Sequence, residues 1–249
     1  MNLIGLFERP LRKQRLFYLK KHKSLLTIII ALYSNKNVLL AHLNHTITMK
    51  KFLFAALLFA SVTGFAQDVK IKKGDFSFLK DQKELNVEFD YSHLKLMKEN
   101  LTEAQYVEKR VNDLNEKDKG NGNIWKKKWV AAPQMIWNPK FLELLTKTYG
   151  KEKDVTIEEG LATAKYTLIV DAVWIYPGWD AAIMKQPAKV STVLRFVETS
   201  NKSNVIMEIE TEEAPGDQWG SNFSNESRIG EGFAKTAKTI GKMIVKKLK

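Results

Sequence analysis

Met49-Lys50-Lys51 opens the pattern that most limits what this chain can fold into. Two lysines are followed by the uninterrupted apolar run Phe52–Ala60, and then by Ser61-Val62-Thr63-Gly64-Phe65-Ala66. A positive start, a short apolar stretch and small residues at the −3 and −1 positions (Gly64 and Ala66) are the three parts of a secretory signal peptide. The apolar run is too short to span a bilayer, which takes about 20 residues. The reading is an exported protein, periplasmic or secreted, cut between Ala66 and Gln67. The fold argument therefore belongs to residues 67–249.

A signal peptide acts from an N-terminus, and Met49 is a plausible start. Residues 1–48, with the basic cluster Arg12, Lys13, Arg15, Lys20, Lys21 and Lys23, are accordingly read as upstream sequence before the true start. The functional alternatives for them are a basic nucleic-acid arm or a membrane-surface segment. The organisation expected is thus an upstream extension over 1–48, a signal peptide over 49–66 and a single exported domain over 67–249.

Removing the leader changes the electrostatics. The chain carries a formal charge of +12, from 40 Lys and Arg against 28 Asp and Glu. Residues 1–66 hold ten of the basic residues and one acid, so the remainder has 30 against 27, or +3. The argument for a nucleic-acid partner rests on net charge and goes with it. The chain has no cysteine, which excludes disulfides, thiolate chemistry and cysteine-based zinc sites. Three of its four histidines precede Met49, leaving His93 alone, so no multi-histidine metal site is expected. No glycine-rich phosphate loop is present, and no cofactor is implied.

Glu84–Ser92 alternates cleanly, with Leu85, Val87, Phe89 and Tyr91 on one face, and reads as a half-buried strand. Thr102-Glu103-Ala104-Gln105 has the spacing of a capping box and opens a helix that ends before Gly120-Asn121-Gly122. Asn138-Pro139 is read as the start of a second helix, with Asn138 as its cap and Gly150 as its stop. Three strands follow, over Tyr166–Tyr176, Lys189–Glu198 and Asn204–Thr211. The last segment, from about Ser227, places Ile229, Phe233, Ala237, Ile240, Ile244 and Leu248 at helical spacing. Lys70–Lys83 shows no clear period. The order strand, helix, helix, three strands, helix predicts a single α+β domain, with an antiparallel or mixed sheet, helices on one face and an amphipathic helix at the C-terminus.

Ala164-Lys165-Tyr166-Thr167-Leu168-Ile169-Val170, the apolar hairpin after it and the closing helix resemble a recurrent bacterial envelope pattern. It is similar to uncharacterised exported proteins of Bacteroidota and, more loosely, to the TolB amino-terminal domain and CsgG-like periplasmic folds. The resemblance covers mainly residues 160–248 and includes no catalytic motif. It implies a binding or assembly role in the periplasm or at the cell surface and carries no site residues across.

Four residues stand out as candidate ligand-binding positions: Trp179, Trp219, Asp171 and Arg195. Asp171 lies inside an apolar strand and Arg195 inside the next. A hairpin centred on Ile183 sets them opposite each other, as a buried carboxylate at a binding site or as an ordinary cross-strand ion pair. Trp179 in Pro177-Gly178-Trp179-Asp180 and Trp219 in Asp217-Gln218-Trp219-Gly220 lie in loops, where a flat apolar indole can stack on a sugar ring; the ordinary role of tryptophan is packing. Trp125-Lys126-Lys127-Lys128-Trp129 is read as a helix with one packed and one solvated face rather than a nucleic-acid platform. Glu158, Glu159, Glu208, Glu210 and Glu212 offer carboxylates at glycosidase-like spacing, a spacing that any alternate pair on a strand meets. His93 is read as surface polar, without a triad around it.

No residue set is assigned to catalysis or to a metal. Three functions fit: a non-catalytic envelope protein that binds or assembles with a protein partner, a glycan or small-ligand module using Trp179 and Trp219, and a carboxylate-based hydrolase.

Overall fold

The computed structural model describes residues 67–181, 184–216 and 224–249. The signal-peptide segment and Trp219 lie outside them. The described chain forms one mixed sheet with helices packed on it, an α+β architecture closed by a C-terminal helix. In chain order the strands are β1 (Asp68–Lys73), β2 (Glu84–Asp90), β3 (Lys95–Leu96) and β4 (Leu101–Thr102). They are followed by α1 (Glu103–Lys117), α2 (Asn121–Ala132) and α3 (Asn138–Leu145). Then come β5 (Thr156–Glu159), β6 (Tyr166–Tyr176), the two-stranded ribbon β7 (Trp179–Asp180) and β8 (Lys185–Gln186), β9 (Ala188–Glu198), β10 (Asn201–Gly216) and α4 (Asn225–Lys247).

The main sheet runs β1-β10-β9-β6-β2-β5, with β3 continuing beside β6 where β2 leaves it. Strands β6, β9, β10 and β1 are antiparallel, as expected for a meander, whereas β2 pairs parallel to both β5 and β6. Alternation then sorts the side chains. Leu85, Val87, Leu168, Val170, Leu194, Phe196, Met207 and Ile209 enter the core. Asn86, Glu88, Asp171, Arg195, Glu208 and Glu210 fall on the other side, as a period of two requires.

Helix α4 lies on β9 and β10 with Ile229, Phe233, Ala237, Ile240 and Ile244 fully buried, and Ser224 caps it by accepting from the Ser227 N–H. The predicted capping box is present at Thr102 and Gln105. Trp129, Trp137 and Phe233 form an aromatic column in the core, with Trp137 stacked on Phe233 at 5.9 Å. Trp129 is buried while Lys126, Lys127 and Lys128 face outward, so the Trp-Lys-Lys-Lys-Trp run is a packed helix.

Three local expectations are corrected. Asn138 does not cap a helix: it is helical itself, because α2 runs through a π turn (Pro133–Trp137) into α3. Pro139 has no N–H to close an α-helical bond, and the wider turn before it removes the need for one. Gly150 does not stop the segment either; it lies in a second π turn, and the chain leaves the helix at Asp154, whose φ is +54°. Lys70–Lys83 contains an edge strand, β1. Its only apolar side chains are Val69, packed against the core, and the exposed Ile71, so its pairing with β10 is laced by Lys70–Glu212 and Lys72–Glu210 ion pairs rather than by a clear apolar face.

Candidate functional site

Asp171 and Arg195 are brought together, although not in the predicted register. Asp171 sits opposite Val193 and Ile169 opposite Arg195, so the pair is diagonal. From Tyr166↔Glu198 to Ala172↔Thr192 the partner numbers sum to 364, which centres the hairpin on 182 rather than 183, and beyond a bulge at Ala172/Trp174 they sum to 365. Arg195 reaches along the strand to place Nη1 3.0 Å from Asp171 Oδ2, while its Nε donates to Glu208 Oε2 at 3.1 Å. The Asp171 side chain is only 2% exposed. Burial alone would lower the Arg195 pKa; the hydrogen bonds to the two carboxylates outweigh it and hold it above the ordinary guanidinium value.

His93, read from sequence as surface polar, is exposed as expected and also joins this cluster. It lies where β2 gives way to β3, with Nδ1 3.2 Å from Asp171 Oδ2, 3.3 Å from Ser92 Oγ and 3.8 Å from Asp90 Oδ2. A serine, histidine and aspartate are thus adjacent, but both partners converge on one ring nitrogen. A triad needs the two nitrogens to serve different partners, one for the base's orienting carboxylate and one for the nucleophile. This geometry cannot relay a proton from Ser92 to Asp171.

Among the described residues, the donor set that could hold a metal ion is Asp90, His93 and Asp171, whose ligand atoms all lie within 4.8 Å of one another. The Arg195 guanidinium already supplies the cation at Asp171. The glutamate row is similarly occupied, with Glu208 on Arg195, Glu210 on Lys72 and Glu212 on Lys70. Each carboxylate faces a cation on the neighbouring strand rather than a second carboxylate across a cleft.

Trp179 is placed differently. After β6, Pro177-Gly178 turns the chain into the β7–β8 ribbon, in which Trp179 pairs with Gln186. Gly178 has φ +66°, and a Cβ there would fall 2.4 Å from the Gln186 carbonyl oxygen and 2.6 Å from the Ala188 nitrogen, so the turn requires glycine. The Trp179 Nε1–H and the Tyr176 hydroxyl both donate to Gln186 Oε1 at 3.1 Å. The indole is therefore held by its polar edge while 41% of the residue remains exposed.

Beneath it lies a cleft of about 340 Å³ walled by Tyr106, Lys109, Arg110 and Asp113 of α1, Tyr176 and Asp180, and Asn225 and Arg228 of α4. Arg228 braces the turn from below, donating from Nε to the Pro177 carbonyl at 3.4 Å and from Nη2 to the Gly178 carbonyl at 3.3 Å and to Asn225 Oδ1. Desolvation lowers its pKa, against the opposing pull of Asp180 and Glu226. Burial likewise raises the Tyr106 phenol to about 12, so it is a neutral hydroxyl at any physiological pH.

A second pocket of about 440 Å³ shares Arg110 and Asn225 with the first and adds Trp125, Lys128, Ser224 and Glu226. Here three polar atoms lack partners: Arg110 Nε, Trp125 Nε1 and Glu226 Oε1. A buried polar group left unpaired costs about 1–3 kcal/mol. Sequence reasoning named Trp125 within the Trp-Lys-Lys-Lys-Trp run and missed Arg110, Glu226 and Arg228. The signal was present in Ser224-Asn225-Glu226, a helix start with a carboxylate in its first turn, but nothing in the order of residues says that α1 packs beside it.

No protein-family model matches this chain, and no curated protein matches it. Two solved structures are similar in outline: the PelC dodecamer from Paraburkholderia phytofirmans, at 11% identity and a TM-score of 0.34, and a point variant of the same dodecamer, at 10% and 0.33. Each comparison covers 70% of this chain and 96% of the other. Likeness at that level carries nothing about ligand, assembly or location.

Proposed function

We propose that the chain is an exported, non-catalytic binding protein whose ligand occupies the cleft under Trp179. The observation that carries this is the indole itself: fixed at its N–H edge by Gln186, half-exposed, and set at the rim of a cleft whose walls combine Met97, Leu101 and Pro177 with charged side chains. An aromatic face held open in this way suits a ring with an apolar C–H side and polar substituents, which is the chemistry of a sugar. Lys109, Arg110 and Arg228 against Asp113 and Asp180 leave the cleft nearly balanced in charge, so a neutral or weakly charged ligand fits better than a polyanion. Of the carboxylates offered for a hydrolase, Asp171, Glu208, Glu210 and Glu212 are each paired with a cation on the sheet. The export part of the proposal rests on the Met49–Ala66 pattern.

Two measurements test it. Expression from Met49 in a secreting bacterial host should yield an exported product whose intact mass begins at Gln67; an uncut cytoplasmic product would remove the export reading. Oligosaccharide titration followed by tryptophan fluorescence should show saturable binding that Trp179→Ala weakens about tenfold or more and Trp179→Phe weakens less, since stacking contributes roughly 1–3 kcal/mol. Equal binding by all three proteins would remove Trp179 from the site.

A protein-docking role is supported by a separate feature, a groove of about 640 Å³ between α1 and α2 lined by Ala104, Val107, Val111, Val130 and Pro133. Among the described residues no helix is long and apolar enough to cross a membrane, so this surface does not belong to a spanning helix.

A further inference from the structure

The main sheet ends in two edge strands of opposite charge. At one end β1 pairs with β10 alone, and at the other β5 pairs with β2 alone. Strand β1 reads Asp68-Val69-Lys70-Ile71-Lys72-Lys73, three lysines against one aspartate, and β5 reads Thr156-Ile157-Glu158-Glu159. Every residue of β1 but Val69 is exposed, and so are Thr156, Glu158 and Glu159. Lys70 and Lys72 are held by Glu212 and Glu210, but Lys73 donates to the Val205 carbonyl and forms no ion pair among the described residues. Glu158 and Glu159 form none there either. The backbone of β5 is open as well. The Thr156 N–H donates to the Lys83 carbonyl at 2.8 Å on the β2 side, so alternation turns the peptide groups of Ile157 and Glu159 away from the sheet.

Strand direction decides how such edges can meet. Strand β9 runs against β6 and β10 against β9, so β1, which runs against β10, is opposed to β6. Strand β5 runs with β2 and therefore with β6. A second copy brought alongside in the same orientation thus sets its β1 antiparallel to β5, with the faces of the two sheets aligned. Glu158, opposite Asn86, then shares a face with Lys70 and Lys73, opposite Glu210 and Glu208. Ile157, opposite Leu85, shares the other face with Ile71, opposite Ile209, and the join covers an isoleucine that is 49% exposed. Pairing β1 with β1 would set lysine against lysine, and pairing β5 with β5 would set glutamate against glutamate. Lysines on an edge strand block indiscriminate pairing, and the same lysines admit an acidic strand. We propose that β5 of one copy adds to β1 of the next, so that the sheet continues head to tail from molecule to molecule. Such an interface is heterologous: copies add until the rotation between them closes a ring, or they continue as a filament. With four residues on one side it is small, and its affinity is correspondingly modest.

The experiment is sedimentation velocity of the purified full chain from micromolar to millimolar concentration at low and high salt. Wild type should show a mass that rises with concentration and falls with salt. Glu158→Lys/Glu159→Lys should weaken self-association about tenfold or more, and Lys73→Glu less, because like charges then face each other or one attraction is lost. Each variant keeps one native edge, so an equimolar mixture should associate again, β1 of the first with β5 of the second. The double variant added to wild type should bind the free β5 end and shorten the assemblies. A wild type that stays monomeric at millimolar concentration and low salt overturns the proposal. So does association that the double variant leaves unchanged, which would place the contact elsewhere, or variants that fail to associate when mixed. Thermal unfolding of each variant controls for folding. Should Lys73→Glu fail to fold, the mixture of the double variant with wild type carries the test.

Discussion

On the face of the sheet away from the helices, Asp171 meets Arg195 at 3.0 Å, Arg195 meets Glu208 at 3.1 Å, and Lys202 meets Glu88 at 2.7 Å. At the start of α4 the polar groups are arranged otherwise: Glu226, Trp125 and Arg110 each keep a buried atom without a partner, and Trp179 is held open beside them. Both regions hold charge in a partly dry setting. In the first, Asp171–Arg195 and Arg195–Glu208 join neighbouring antiparallel strands, where pairing places such side chains within reach of one another, and Lys202 of β10 reaches Glu88 of β2. The second is built from segments that approach each other only in the tertiary fold, and it leaves its hydrogen bonds incomplete. Self-satisfied charge holds the sheet together, while the start of α4 keeps buried polar atoms without a partner.

The largest expected effect breaks the first region. Asp171→Ala removes a buried carboxylate and leaves Arg195 with Glu208 alone. Losing one partner of a buried pair costs about 3–5 kcal/mol; with Arg195 about a third exposed, the expected loss is nearer 2 kcal/mol. Urea unfolding should show it as a lower midpoint with an unchanged slope, and sugar affinity should not move. A change in affinity without a change in stability would put Asp171 in the binding site and erase the contrast.

Gly178→Ala attacks the second region. Its Cβ would collide with the Gln186 carbonyl at 2.4 Å, and φ +66° disfavours any residue but glycine. Backbone strain of this kind is worth roughly 1–3 kcal/mol. Because the β7–β8 ribbon is small and peripheral, the strain should be relieved locally. Amide exchange over 179–186 should speed up and ligand affinity should fall, with a smaller change in the global midpoint than Asp171→Ala gives. A global loss as large as that of Asp171→Ala would show that the ribbon is part of the sheet's cooperative unit rather than a mount for Trp179.

The same contrast explains what could be read from the sequence. Glu84–Ser92 and the final helix were legible because burial imposes a period, two in one case and near four in the other, and Tyr166–Tyr176 was legible as an apolar run ended by Pro177-Gly178. The Asp171–Arg195 proximity was legible from the expected centre of the hairpin, to within two residues of register, an offset that keeps both side chains on one face of the sheet. Edge strand β1 was not legible, since what orders it is its partner β10. His93 was read as surface polar, which its exposure matches, but its approach to Asp171 was not legible, because the parallel pairing of β2 with β6 is a long-range event without a local signature. Trp179 could be named as a candidate from its turn. The cleft below it could not, because Arg110 and Arg228 lie 118 residues apart in the chain.

The smallest effect sharpens the comparison at its border. Asp90 accepts the Ser92 backbone N–H at 2.8 Å, and that bond, opposed by some burial and aided by His93 and Arg195, lowers its pKa below the ordinary 3.8. A carboxylate with a lowered folded pKa adds stability above its unfolded value and loses it as pH falls through the folded one. Wild-type stability should therefore drop between pH 4 and pH 2 by a component that Asp90→Asn lacks, leaving the two proteins closer together in acid than at neutral pH. The component should be slight, because Asp90 is more than a third exposed and solvent screens it. Thermal unfolding of both proteins across that range measures it, and salt should reduce it further. A large effect that persists at high salt would mean that Asp90, His93 and Asp171 act as one buried unit rather than as the exposed rim of an ion-pair lattice. The sheet face would then hold an incompletely satisfied site of its own.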